Sequence, residues 1–561
     1  MADWIETSNR YARRAMAVER RIVPEYLSHF GDPEADPEVF QLPAGRAEQE
    51  IAAYRELIVG LRQALNAERH PQVRLDLELL IEYCEREMAH RRLEDQLLVP
   101  YFNLPQAIFQ GLQPLLSHRI DPDRRRAMPT RLRRYAGCER GYSPVAEQYA
   151  AMLRSRLDRA DLLFPPRQAV ARDLETTEVF LAAIREGLTS AGIGGCDEAY
   201  GRLCNQLADS DAFVREQVLP RARADFRLPS ELYASHLKRN GVEMPIDELV
   251  GRAWVEFHTT RRQMQLLARR LDRKSATARA GDYRETVRRL ATAPAPECIV
   301  ALFRRRVREL RAAIERHGIL TLPELDVRVV SASHAESLTL PFVHVVLPAF
   351  LAPQRPEAID VVVPAEVPAQ GATAWLAEFS SAAGSWYLAT HELAHAIQFA
   401  VLAGGDLPVV RLTYYTMSEA EGWTVYLEKE VLAHLPPAAQ MLTLRGHLLR
   451  CARTIFEPQL HQGRMKPEQV IRMLRDDLVF ADAAARQELK RYLLLPGQAA
   501  SYLYGHFRHT EIRAETELAL GPHFNRRDYH DFILRQGLIP LTLLRRQVDE
   551  QLVAVRPELA A

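Results

Sequence analysis

Over about the first 320 positions, the chain follows a helical pattern of hydrophobic and polar residues. Apolar side chains recur at i, i+3, i+4 and i+7 with charged side chains between them, which predicts amphipathic helices. The pattern is clearest in segments 48–66, 72–96, 145–160, 174–191 and 247–272. Turn residues separate the segments and no fixed-period repeat occurs, so a helical solenoid is not expected.

The pattern changes near residue 322. Three short segments, 325–331, 342–347 and Ala358–Val363, are rich in β-branched residues and flanked by Pro or Ser, which predicts a small sheet of about three strands. Beyond Gly371 the helical pattern returns. We therefore expect a mainly α protein with two lobes: a helical lobe over 1–322, and a lobe over 323–561 that holds the sheet and further helices.

Composition excludes several classes of protein. The 561 residues include 73 basic and 73 acidic side chains, and 47% of the residues are hydrophobic. Disordered chains are poorer in apolar residues, and nucleic-acid-binding proteins usually carry a basic excess. No segment reaches the roughly 18–20 apolar residues that span a bilayer. We expect a globular protein with neither a nucleic-acid nor a membrane partner.

The six cysteines show no C-x-x-C pair and no regular spacing, so neither a zinc knuckle nor a disulfide framework is indicated. The first residues alternate charged and small apolar side chains and lack the apolar core of a signal peptide. We expect reduced thiols and a cytoplasmic location.

The strongest chemical signal is His391-Glu392-Leu393-Ala394-His395, an H-E-x-x-H motif. The surrounding segment 386–403 contains no Pro or Gly and stops at Gly404-Gly405, which predicts a helix. Positions i and i+4 share one face of a helix, so both imidazoles can bind one cation, and Glu392 can polarise a water beside it. The alternative is a pair of hydrogen-bonded core histidines.

A catalytic zinc ion usually takes three protein ligands and leaves one position open. Glu421 lies 26 residues after His395 at the start of a second predicted helix. Ser418-x-x-Glu421 could instead be a capping box, and Glu419 competes as the ligand. A Glu that opens the helix after an H-E-x-x-H resembles the gluzincin peptidases, which favours Glu421. Glu428 either orients a ligand or is a plain exposed carboxylate.

Three sequence blocks resemble a bacterial family of metallopeptidase-like proteins catalogued as domain of unknown function 885. The blocks are E-G-W-T-V-Y at 421–426, L-P-G-Q-A-A-S-Y at 495–502 and D-Y-H-D-F-I-L at 528–534, the last followed by Gly537 and Pro540-Leu541. The resemblance covers most of the chain and is most specific from about residue 350. It implies a zinc-dependent, gluzincin-like peptidase, related in architecture to helical-cleft carboxypeptidases and oligopeptidases.

The motif departs from the family in one respect. The family usually carries a longer H-E-x-x-P-G-H-H stretch, whereas here Ala396-Ile397-Gln398 follow His395. We expect the metal geometry to survive, because the compact form has the general zincin spacing. We expect substrate preference to differ, because the missing Pro-Gly turn would lie against the cleft.

Hydrogen-bond donors beside a metal commonly stabilise the negative charge that develops on an attacked carbonyl. Tyr502 and His530 lie in the downstream blocks and have the donor types that such a site uses, although both could simply fix helix packing. Weaker candidates in the same stretch are Tyr504, His506 and His509. Arg513 is a candidate to hold a substrate carboxylate.

These patterns together predict a metal-dependent hydrolase that cleaves short peptides. One zinc ion per chain would be held by His391, His395 and Glu421, with Glu392 as general base. The ligand set also suits cobalt or manganese. If the helical lobe roofs the cleft, only short or extended peptides reach the metal, with Ala358–Val363 as the strand edge for pairing.

Two other functions stay open at the level of sequence. The first is a metal-dependent enzyme that is not a peptidase, such as an amide hydrolase or a biosynthetic tailoring enzyme acting on an amide-containing small molecule. The second is a non-catalytic helical scaffold with a relic site, which the intact Glu392 argues against. The oligomeric state, the native metal and the choice between endo- and exopeptidase action do not follow from the sequence.

Overall fold

A computed structural model of the chain describes residues 3–554 apart from 118–119, 273–280, 294, 296, 333–335, 337–339, 341, 353 and 365–373. Within these residues the fold is mainly helical, with one small three-stranded sheet, as the sequence predicts. Every described helix is too short or too polar to traverse a bilayer. All six cysteines are unpaired.

The chain before the sheet folds into helices that pack through their apolar stripes, and all five predicted helices are present. Two differ in their ends: the helix predicted for 145–160 ends at Arg154, and the helix predicted for 174–191 begins at Arg167. The helices are α1 (Asp3–Ile22), α2 (Pro24–His29), α3 (Arg46–Ala67), α4 (Pro71–Leu97), α5 (Leu104–Leu116), α6 (Pro122–Arg125), α7 (Met128–Tyr135), α8 (Val145–Arg154), α9 (Arg167–Ser190), α10 (Asp197–Phe213), α11 (Ser230–Arg239), α12 (Ile246–Asp272), α13 (Tyr283–Ala291) and α14 (Ile299–Arg316).

The sheet contains β1 (Asp326–Ser331), β2 (His344–Val345) and β3 (Ala358–Val363) in the order β1-β3-β2. β3 pairs in parallel with β1 and antiparallel with β2, so both of its edges are occupied. The expectation that Ala358–Val363 offers a free edge to a peptide is therefore wrong. Among the described strands, β3 is therefore central, and β1 and β2 are the two edge strands.

After the sheet the chain returns to helix. The helix predicted for 386–403 is α16, which ends at Gly404 with Gly405 as its cap, and almost all of its residues are buried. The helices of this part are α15 (Ala374–Ala377), α16 (Ser385–Gly404), α17 (Val410–Thr413), α18 (Met417–Leu432), α19 (Pro437–His461), α20 (Pro467–Asp476), α21 (Asp482–Leu494), α22 (Gln498–Leu520), α23 (Arg526–Leu534) and α24 (Leu541–Gln547).

Helices α18 and α22 approach each other at two glycines. A Cβ atom at Gly422 would lie 2.4 Å from the Cα of Gly505, and one at Gly505 would lie 2.2 Å from the carbonyl oxygen of Ser418. Only glycine fits at both positions, because any side chain would overlap the backbone of the other helix. This close contact brings Glu421 on α18 within reach of Tyr502 on α22.

Two hydrophobic clusters stabilise the fold. One contains buried residues from both ends of the chain, from Ala12 to Val548, and surrounds the sheet and α16. The other contains residues between Val39 and Ala222 only. The lobe boundary between 322 and 323 stays a prediction.

Candidate metal centre

The structure brings the three proposed ligands together. Helix α16 places His391 and His395 one turn apart on the same face, with ring centroids 5.0 Å apart. Their Nε2 atoms lie 3.2 and 3.3 Å from Oε2 of Glu421, which α18 supplies. One ligand atom from each residue lies within 4.8 Å of the others, and all three residues are buried. This is the arrangement that a single cation needs.

A second set of side chains holds the ligands in place. Oε1 of Glu428 lies 2.9 Å from Nδ1 of His391, and Glu428 is only 1% exposed, so it is not a surface carboxylate. The hydroxyl of Tyr502 donates to Oε1 of Glu421 over 2.9 Å. Contacts of this kind set the orientation of metal ligands and commonly tune metal affinity.

The protonation pattern of the site fits a cation. When His391 is neutral and its Nδ1–H donates a hydrogen bond to Glu428, its Nε2 carries a lone pair. That lone pair faces Oε2 of Glu421, which is also an acceptor, and Nε2 of His395 faces the same oxygen. Acceptors that face one another at this distance require a proton or a metal ion between them. A nitrogen–oxygen ligand set of two imidazoles and one carboxylate suits Zn²⁺.

Burial and mutual interaction strongly perturb the ionisable groups of the site. Burial, together with the carboxylates of Glu421 and Glu428, raises the pKa of Glu392 to about 8. Burial also raises the pKa of Glu428, although His391 opposes it. Burial lowers the pKa of His391, but the adjacent Glu421 and Glu428 outweigh that effect and hold the pKa well above its usual value. A divalent cation would offset this concentration of buried carboxylates.

The carboxylate chosen from the sequence is the one beside the histidines. Helix α18 begins at Met417, and Thr416 is its cap: the Thr416 backbone N–H donates to Glu419, which completes a capping box. The capping box is therefore Thr416 with Glu419, not Ser418 with Glu421. Glu419 therefore caps the helix start, whereas Glu421 faces His391 and His395.

The ligands lie in a cavity of about 530 Å³. Glu392 projects into it beside the histidines, and strand β2 forms one wall. The wall beyond Tyr502 carries positive charge. The lining residues that matter below are His344, Val345, Glu392, Arg450, Arg453, Glu488, Arg491, Gln498 and Tyr502.

A second cavity of about 570 Å³ continues the first on the other side of β2. The two share lining residues from α2 and from the segment around β2, including His29, Phe342 and His344. The second cavity is otherwise lined by α5, the chain that follows it, and the sheet. Together the cavities form one cleft that extends to both sides of β2.

Among the described residues, two other groups of histidine and glutamate lie close together, but neither lines the two cavities. In the group Glu256, His447 and His506, the carboxylate of Glu256 is already paired with His447 at 2.7 Å and with the ammonium group of Lys429 at 3.4 Å. A metal ion there would face that ammonium group. The remaining group is His90, Glu94 and His236, in which His90 is paired with Glu94 at 3.2 Å.

The sequence matches a family of bacterial proteins of unknown function, DUF885, over residues 24–548. The chain belongs to this family. Two solved structures share the fold of this DUF885 chain: "a putative lipoprotein of unknown function" from Shewanella oneidensis, 17% identical with a TM-score of 0.75, and a protein described in similar terms from Colwellia psychrerythraea, 16% identical with a TM-score of 0.76. Each comparison covers 98% of this chain and 100% of the other. No curated protein sequence matches significantly.

Two of the three sequence blocks that carry the family resemblance contribute to the cavity of this DUF885 chain. The first supplies Glu421. The second places Gly497 at a φ of +81°, a left-handed conformation that favours glycine, and there helix α22 begins. Gln498 and Tyr502 then lie one turn apart on α22, and both line the cavity.

The structure does not bring His530 to the cavity, which corrects the expectation that it is catalytic. Its Nδ1 lies 2.7 Å from the carbonyl oxygen of Ile319, and its Nε2 lies 2.7 Å from the hydroxyl of Tyr426. Its side chain is fully buried among aromatic rings. In this DUF885 chain His530 therefore joins the third block to the rest of the fold.

The weaker candidates also lie outside the cavity. Arg513 is ion-paired with Glu430, so it is not the receptor for a substrate carboxylate. The side chains of Tyr504, His506 and His509 are buried and do not line the cavity. Sequence patterns missed the arginines of the cavity wall, of which Arg450 and Arg453 lie on α19. These arginines are unusual because α19 is buried on nearly all sides, and the sequence alone does not show that burial.

Proposed function

We propose that this DUF885 chain is a zinc-dependent metallopeptidase of gluzincin type that hydrolyses short peptides. One observation supports this most: His391, His395 and Glu421 converge on one point, with Glu392 beside them in a cavity. A relic site would not need an intact carboxylate at Glu392.

His391, His395 and Glu421 would hold the cation. A bound Zn²⁺ supplies Lewis-acid chemistry, which lowers the pKa of a water and polarises a carbonyl group. Glu392 would accept a proton from the attacking water and deliver it to the leaving amide nitrogen. Glu428 would keep His391 in the tautomer that leaves Nε2 free for the metal.

The sheet would help to place the substrate. Strand β2 borders the cavity, so an extended peptide bound at the metal would lie alongside it. A hydrogen bond with the Val345 backbone also contributes to the environment of Glu392, so the strand and the proposed general base are adjacent. The cleft that the two cavities form would admit extended chains and exclude folded domains.

A screen of dipeptides and tripeptides with zinc-loaded protein tests the proposal. We expect hydrolysis of some short peptides, abolished by a chelator and restored by added zinc, and no cleavage of folded protein substrates. Efficient cleavage of folded proteins would contradict the proposed cleft. Turnover of an amide-containing metabolite but of no peptide would favour the non-peptidase enzyme, because the cavity volume also suits a small molecule.

Tyr502→Phe separates two roles for this hydroxyl. Because the hydroxyl already donates to Glu421, we propose that it orients a ligand, and we expect the variant to bind zinc about 10- to 100-fold more weakly. Competition with a chromophoric chelator measures the affinity, and Tyr504→Phe on the same helix is the matched control. Unchanged zinc affinity with a large drop in kcat would instead indicate direct stabilisation of the oxyanion.

We propose a cytoplasmic location, since the six cysteines are unpaired, as is usual in a reducing compartment. Both solved neighbours are described as lipoproteins, so cell fractionation is the direct test. Recovery of the protein in a membrane fraction would overturn the cytoplasmic assignment and leave the proposed chemistry intact.

A further inference from the structure

Arg491 lines the cavity wall, and among the described residues no carboxylate lies within ion-pair distance of its guanidinium group. It is half-buried on α21, with Nε and Nη2 donating to Oε1 of Gln498 over 3.2 and 2.9 Å, and Nη2 also donating to the hydroxyl of Tyr502 over 2.9 Å. All of these acceptors are neutral. Within the part of the chain that the structure describes, Arg491 forms no ion pair, whereas the nearby Arg450 and Arg453 do.

The neighbouring arginines show the contrast. Arg453 is bound by both carboxylate oxygens of Glu488, at 2.5 and 3.1 Å. Arg450 is 2% exposed and lies between the rings of Tyr387 and Tyr502, and its Nε and Nη1 atoms have no hydrogen-bond partner among the described residues. Arg450 also lies 3.6 Å from Oε1 of Glu428, so Arg450 and Arg453 each have a carboxylate neighbour. Among the described residues, Arg491 is the guanidinium group of this wall whose charge no ion pair balances.

The distance from Arg491 to the metal ligands is that of a short piece of peptide. Two hydrogen bonds of 2.9 Å, through the Tyr502 hydroxyl, connect Nη2 of Arg491 to Oε1 of Glu421. An extended chain covers about 3.3–3.6 Å per residue. One or two residues would thus reach from a carbonyl group at the metal to a group bound by Arg491.

We propose that Arg491 binds the free α-carboxylate of the substrate and that the enzyme is a carboxypeptidase that releases one or two carboxyl-terminal residues. This inference rests on the proposed function. In the reaction, the water oxygen forms a bond to the carbonyl carbon, the C–N bond breaks, and a water proton moves through Glu392 to the leaving nitrogen. The carboxylate held by Arg491 belongs to the leaving fragment. A planar guanidinium is well suited to bind a carboxylate through two parallel hydrogen bonds.

The test compares two libraries of N-acetylated tetrapeptides that vary at the last two positions, one with free carboxyl termini and one with carboxamide termini. Hydrolysis is followed by mass spectrometry with zinc-loaded protein. Binding is measured separately with Glu392→Gln protein, which we expect to retain zinc without turnover. The variants are Arg491→Met and Arg491→Lys, with Arg486→Met, exposed on the same helix, as the matched control.

We expect the acids to be bound and cleaved and the amides to be poor ligands and substrates. Arg491→Met should weaken binding of the acids by about 10- to 100-fold and leave the weak binding of the amides unchanged, with Arg491→Lys intermediate and Arg486→Met like the parent. If Arg491 had a purely structural role, Arg491→Met would weaken binding of the acids and of the amides equally. That result would overturn the proposal. The proposal would also be overturned if both libraries were hydrolysed equally well, or if the protein preferred amides with Asp or Glu side chains. Selective binding of the acids without any hydrolysis would refute the peptidase and leave the carboxylate site standing.

Discussion

Replacing Glu392 with glutamine is expected to lower kcat by about 10²- to 10⁴-fold and to leave the metal bound. The side chain lies in the cavity beside both histidines but is not one of the three groups that converge. Glutamine has nearly the same shape and cannot accept the proton of the attacking water. The variant should therefore lose the general base without creating a cavity in α16.

Metal content by mass spectrometry and thermal melting of the same preparations complete this experiment. The expected result is parental zinc content, an unchanged melting temperature and a low kcat. A variant that turns over substrate at the parental rate would show that another group moves the proton. A variant that loses zinc would show that Glu392 contributes to binding the metal.

The second large effect concerns the ligands themselves. His391→Ala, His395→Ala and Glu421→Ala are each expected to lower zinc affinity by well over 100-fold, because even the loss of a group that only orients a ligand costs about 10- to 100-fold. The matched control is Glu419→Ala. It removes a buried carboxylate two residues from Glu421, but one that caps α18, so it should retain zinc and lose about 0.5–2 kcal/mol of stability.

Zinc titration of each purified variant, with circular dichroism to confirm folding, measures this effect. His447→Ala extends the control, because it disrupts the nearby Glu256 group without touching the H-E-x-x-H helix. Retention of zinc by Glu421→Ala together with its loss from Glu419→Ala would show that the wrong carboxylate has been assigned.

Local sequence patterns were sufficient for the centre of the site. The spacing of His391 and His395 requires only that one helix forms, and the apolar, Pro-free segment with a glycine stop makes that helix predictable. Glu421 lies near the start of the next long helix, so its position depends on a single connection. The segment rich in β-branched residues likewise predicted β3 with its observed bounds.

Long-range packing determined what sequence patterns could not show. The position of β3 in the centre of the sheet depends on pairing with strands before it in the chain. His530 has the right chemistry for a hydrogen-bond donor, but its partner Ile319 is more than two hundred residues away, and that contact takes it out of the cavity. Arg491 lies in no motif, and only the folded structure shows that it lines the cavity and hydrogen-bonds with Gln498 and Tyr502.

Anomalous diffraction at the zinc absorption edge, from crystals of protein supplied with one equivalent of zinc, would locate the metal directly. We expect one dominant peak about 2.0–2.2 Å from Nε2 of His391, Nε2 of His395 and a carboxylate oxygen of Glu421. No peak at that point, or a dominant peak among Glu256, His447 and His506, would contradict the proposed metal centre.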